Sequence, residues 1–175
     1  MRRLVFVVAF TFCVATMAGG TAGAATSKSA FLVFVEPTVS ASSTGLTLET
    51  ELEGTFNVAN RTASGGGEYS VTDGTALLES GTFTLTRLVA FQFYGCGEVE
   101  GTTLPPDFCG GQVILGFHST SSTGVQRDGL IMVNCQIHDP GGQAPPGTSE
   151  GVTANAHGVN FNTHVTGDNL FVMLP

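Results

Sequence analysis

Three of the four cysteines (Cys13 belongs to the expected leader), one arginine and a scatter of carboxylates and imidazoles carry whatever chemistry this sequence offers. Cys96 and Cys109 bracket a stretch rich in Gly and Pro, the kind of loop that a disulfide closes in an oxidising compartment. Closing a loop of that size contributes about 3 kcal/mol in the chain-entropy account. Cys135 shares the alternation of Ile131, Val133 and Ile137, which makes it a small core hydrophobe. Pairing with one of the other two is the competing possibility. Nothing beside it in sequence would lower its pKa, so a catalytic thiol is not expected.

Arg87 is the sharpest candidate for binding. It stands in line with Phe83, Leu85, Val89, Phe91 and Phe93, so in a regular strand its guanidinium enters the interior. A buried guanidinium requires a carboxylate or several acceptors, or else an anionic ligand. Glu68 and Glu150 are the first partners to consider, Glu150 because it ends a loop and could fold over an opening. Arg87 and Glu150 are therefore the candidate ligand-binding residues. Two other arrangements compete: a bulge that turns Arg87 outward, and a structural ion pair in the interior.

No catalytic residue, metal or cofactor is expected. Gly147-Thr148-Ser149-Glu150-Gly151 reproduces the Gly-x-Ser-x-Gly pattern, but it leads into Val152-Thr153-Ala154, a strand and not a helix. Asp168 also follows His164, against the usual order, so the match is read as chance. His118, His138, His157 and His164 lack zinc spacing, although His157 and His164 could approach each other. No recognised calcium loop is present.

The elements that must position these residues are strands. Thr82 to Tyr94 alternates most cleanly, and period-two alternation with β-branched and aromatic residues marks a half-buried strand. Leu46, Leu48, Thr50 and Leu52 alternate with Thr47, Glu49, Glu51 and Glu53, giving one acidic wet face. Ala30 to Glu36 is an apolar run that Pro37 ends, and Gly54 fits a tight hairpin before Thr55 to Asn60. Glu68 to Val71 and Thr75 to Ser80 pair across Asp73-Gly74. Segments 112–118, 130–137, 151–156, 159–165 and 170–174 complete the set. No sustained helical periodicity appears. The fold expected is all-β, a single antiparallel β-barrel of about 8–10 strands, with a two-sheet β-sandwich as the alternative. Gly95 to Gly111 and Asp139 to Gly151 are long loops, which on β scaffolds carry function or simply cap the ends.

Arg2-Arg3, the apolar run from Leu4 to Val14 and Ala22-Gly23-Ala24 spell a cleaved signal peptide over residues 1–24. The expected product is one all-β domain spanning 25–175, secreted or extracytoplasmic, without a membrane span. The formal charge of the chain is −8, and it becomes more negative once Arg2 and Arg3 leave. Such a surface repels nucleic acid and anionic lipid. Without Trp, and with Tyr69 and Tyr94 as the sole tyrosines, the chain has no aromatic girdle for an outer-membrane barrel.

Gly65-Gly66-Gly67-Glu68-Tyr69, Glu79-Ser80-Gly81-Thr82-Phe83, Thr86-Arg87-Leu88-Val89-Ala90-Phe91 and Phe93-Tyr94-Gly95 resemble a loose group of exported bacterial β-proteins of unknown function. Val133-Asn134-Cys135, Glu150-Gly151-Val152 and Asn160-Phe161-Asn162 are similar to it too. The resemblance covers roughly the last two-thirds of the chain and implies export and an all-β fold, with no activity. The function expected is a non-catalytic exported binding or structural module. The alternative is a small barrel isomerase, cyclase or binder taking a small hydrophobic or carboxylate ligand, with Arg87 as anion anchor.

Overall fold

The computed structural model describes residues 29–139, 143–146, 148–156 and 158–175. Residues 1–24, where a signal peptide is expected, and Gly147 and His157 lie outside the described residues. Eleven strands follow in chain order: β1 (Ala30–Ser42), β2 (Thr47–Asn57), β3 (Thr62–Thr72), β4 (Leu77–Cys96), β5 (Glu98–Val99), β6 (Thr102–Thr103), β7 (Phe108–Ser121), β8 (Gln126–Cys135), β9 (Gly151–Ala156), β10 (Val159–Thr166) and β11 (Asn169–Met173). β5 and β6 make a small hairpin of their own inside the first long loop.

The other nine form one antiparallel sheet. β1, β2, β3, β4, β7, β8, β9 and β10 pair in that order, and β10 returns to β1. The expected closure is thus met by eight strands in a ring. β11 slots between β1 and β7 near one end, paired over Phe31 to Val35 of β1 and over Phe108 and Cys109 of β7.

β2 shows why these residues choose strands. Leu48, Thr50, Leu52 and Phe56 are buried while Glu49, Glu51 and Glu53 face solvent, so the alternation sorts apolar from charged groups. The turn at Asp73-Gly74 is present, with the Asp73 carboxylate accepting from the amides of Thr75 and Ala76.

Three strands run past the ends expected of them. β1 continues through Pro37, because a register shift between Val35 and Thr38 turns both Glu36 and Pro37 outward. Proline is tolerated at such a bulge, where its missing N–H leaves no ladder bond unmade. β1 changes neighbours there, from β11 to β10. β2 runs on through Gly54, which is no turn: it faces Gly65 across the ladder, where an added Cβ would sit 2.6 Å from the Ser64 carbonyl oxygen. β4 joins two expected segments into 20 residues and takes up its length in bulges. At the second of these, Arg61 reaches across from the β2–β3 turn. Its carbonyl accepts from the Leu88 N–H, and its guanidinium donates to the Val89 carbonyl at 2.6 Å.

The packed core lies toward the end where Cys96 and Cys109 are disulfide-bonded across paired positions of β4 and β7. Phe56 is 2% exposed and stacks on Phe31, with Phe91 and Phe171 edge-on at 4.9 and 5.9 Å between ring centroids. Val33, Val113, Leu115, Val133 and Val152 fill the space between. Cys135 is a free thiol buried in this core, as its alternation implies. Burial pushes it up to about 12, with the charge of Glu150 adding to the effect.

Candidate functional site

Arg87 does not enter the interior. The ladder between β4 and β7 shifts between Leu85 and Arg87, leaving Thr86 as an extra residue. Leu85 and Leu88 are both buried, whereas Thr86 and Arg87 are both exposed. A one-residue bulge flips every side chain after it, so the bulge that competed with the inward placement is the arrangement found. The Arg87 side chain lies over Gly116 of β7, whose missing Cβ leaves room for it.

Glu150 and Glu68 sit elsewhere. Glu68 is exposed on the outer face of β3. Glu150 is partly buried at the disulfide end, where its Oε2 accepts the Gln136 amide at 2.8 Å. Burial raises its pKa, the nearby Asp168 adds to the rise, and the amides of Gln136 and Asn169 oppose it. It borders a cleft of about 270 Å³ with Glu98, Glu100, His138 and Asp139. The structure does not bring Arg87 and Glu150 together as one binding pair.

The ring's other end holds what the interior of this protein offers a ligand. A half-open cavity of about 270 Å³ lies among the β1–β2, β3–β4, β7–β8 and β9–β10 ends of the strands. Phe83, Phe117 and Ile131 stand deepest, and Leu46, Leu48, Ala154, Ala156, Val159 and Phe161 make one wall. Size is set by small residues on inward positions. A Cβ on Gly129 would lie 2.4 Å from the Phe117 ring, so glycine is what lets the tip of that ring approach β8 so closely. Ala154 and Ala156 stand two and four residues beyond Val152 of the core, on the same face of β9.

The opposite wall is polar. Tyr69 of β3, Glu79 of β4 and Arg127 of β8 converge there. The Tyr69 hydroxyl donates to Glu79 Oε1 at 2.7 Å, and Arg127 Nη1 donates to the same oxygen. Ser119 holds the Arg127 carbonyl at 3.3 Å. Burial, reinforced by the bond to Glu79 and its charge, pushes Tyr69 up to about 12. The Glu79 bond likewise raises Arg127 above its ordinary value. The arrangement is an apolar pocket with one charge-compensated, hydrogen-bonding side.

Sequence reasoning missed this cluster, and part of its signal was present. Arg127 shares the alternation of Ile131, Val133 and Cys135, the pattern that placed Cys135 in the core. Starting the strand at Leu130 left Arg127 in a turn, whereas β8 begins at Gln126.

The three described histidines have separate surroundings. His118 pairs outward with Asp128 across β7 and β8 at 2.9 Å. His138 packs against Gly95 and His164 against Gly151. Burial lowers His164, against the pull of Asp168. Among the described residues, no three His, Cys, Asp or Glu side chains are placed to hold a metal ion. Ser149 leads directly through Glu150 into β9, a strand, so its surroundings are not those of a nucleophile elbow. Among the described residues no helix is long and apolar enough to cross a membrane.

No protein-family model, curated protein or solved structure matches this chain.

Proposed function

We propose that this chain is an exported, non-catalytic β-domain that binds one small, mainly apolar molecule in the open end of its ring. The observation that carries this reading is the uneven filling of one interior: close-packed phenylalanines at the disulfide end, and about 270 Å³ of apolar-walled space at the other. Ligand sites are typically concave and apolar with a few convergent polar groups, and rings of this strand number have room for one small ligand. Export is supported by the leader-like first 24 residues and by a disulfide of the kind that persists in oxidising compartments. The enzyme alternative rested on Arg87 inside a cavity; with Arg87 outside, that support is gone.

The test is occupancy of the cavity by a neutral fluorophore, N-phenyl-naphthylamine. The protein should bind it saturably at one site. Ala154→Phe should fill the space and weaken binding by about tenfold or more while the unfolding temperature holds or rises. A folded Ala154→Phe protein that binds as the parent does, or a parent that shows no saturable binding, sinks the reading.

A further inference from the structure

We propose that the cavity's ligand is uncharged, an alcohol, ketone or ester with a hydrocarbon body whose single oxygen accepts from Arg127. The inference rests on the cavity-binding reading and names the ligand class. Its starting point is where the donors go. Tyr69 Oη and Arg127 Nη1 both aim at one oxygen, Glu79 Oε1. A guanidinium carries five N–H donors in a fixed fork, and Nη1 is the one that Glu79 Oε1 accepts from. The N–H groups not taken up by Glu79 and Tyr69 can donate to water or to an acceptor bound in the cavity that Arg127 borders.

A carboxylate is the wrong acceptor. Arg127 and Glu79 cancel in charge, and the side chains are only 25% and 24% exposed. A second carboxylate would add a like charge beside Glu79, on a guanidinium whose charge Glu79 already compensates. The field outside opposes anions as well: Glu49, Glu51 and Glu53 line the outer face of β2, and the chain's formal charge is −8. A cation fares no better, because Glu79 is already engaged by Arg127 and Tyr69. A neutral oxygen escapes both penalties. The pocket has the matching polarity, since Phe83 and Phe117 lie one or two inward positions deeper than Glu79 and Ser119. The oxygen sits at the β4–β8 wall and the hydrocarbon extends toward the aromatic floor.

The experiment displaces bound N-phenyl-naphthylamine with compounds of one chain length: decanol, decanone, decanoate and decylamine at neutral pH. Decanol and decanone should compete at concentrations about tenfold lower than decanoate or decylamine. Arg127→Met alone leaves Glu79 uncompensated and risks the fold, so the informative variant is Arg127→Met with Glu79→Gln. It should still bind the fluorophore and lose the preference of decanol over decane. Decanoate competing as well as decanol overturns the inference and leaves the cavity reading intact, as does a double variant with unchanged preference. Failure of the parent to bind the fluorophore overturns the cavity reading and this inference with it.

Discussion

At the disulfide end, Phe31, Phe56, Phe91 and Phe171 meet within 4.9 to 6.0 Å, while at the other end Phe83, Phe117 and Phe161 wall a space. The strands and the residue types are largely shared. What differs is the size of the residues interleaved between the rings: Val133, Cys135 and Val152 in the core, against Gly129, Ala154 and Ala156 around the cavity. Polar groups differ in kind as well. The packed end buries a neutral chain, in which Tyr94 donates to Asn134 at 2.8 Å and Asn134 donates to the Ser149 carbonyl at 2.9 Å. The open end keeps an ion pair within reach of solvent. One ring can therefore devote one end to stability and the other to an occupant, by changing side-chain size along the same strands.

The largest expected effect contrasts two phenylalanines. Phe56→Ala should cost about 3–5 kcal/mol, since its neighbours cannot close the void. Phe117→Ala, beside space that already exists, should cost less than half as much by the same reasoning. Urea unfolding of both variants decides it, and equal losses break the contrast between the ends. Next come the tyrosines. Tyr94→Phe strands Asn134 Oδ1 in the core and should cost about 1–3 kcal/mol. Tyr69→Phe leaves Glu79 with Arg127 and should cost no more than about 1.5 kcal/mol. A thermal melt of each would show the order, and a reversed order would mean that the open end is also a structural centre.

The smallest effect is a pH slope. The folded chain holds the Glu150 proton more tightly than the unfolded chain does. Its contribution to stability is thus fully present below the ordinary value of 4.5 and is lost as pH climbs through the raised value. Glu150→Gln should remove that decline, seen as a flatter unfolding temperature between about pH 4 and 7 relative to the parent. Parallel curves would mean that Glu150 titrates as an ordinary surface carboxylate.

The all-β class, the Cys96–Cys109 bridge, the inward Cys135 and the acidic face of β2 were legible because each depends on local alternation or spacing. The orientation of Arg87 was not, because a bulge is settled by the partner strand. The room that Gly116 leaves on β7 and the bonds that Arg61 makes to Leu88 and Val89 belong to other segments. Pro37 misled for the same reason, since a proline that would end an isolated strand is absorbed where β1 trades one neighbour for another. The Tyr69, Glu79 and Arg127 cluster joins three strands whose proximity exists only once the ring closes.

The bulged half of β4 has one further consequence, for self-association. β3 accompanies β4 only as far as Thr84. From Leu85 to Cys96, β7 is the one strand beside it among the described residues. A long edge bearing the 45% exposed Phe93 is a template for a stray strand from another molecule. Arg61 occupies the amide of Leu88 and the carbonyl of Val89, and the Gln143 side chain occupies the carbonyl of Tyr94. These two residues act as stoppers: they take up backbone groups that an incoming strand would need, and the bulges between them spoil its register. Replacing the Arg61 side chain would reopen the Val89 carbonyl alone, because the Leu88 amide is held by the Arg61 backbone carbonyl, so one of the three blocked backbone groups would become available to a stray strand.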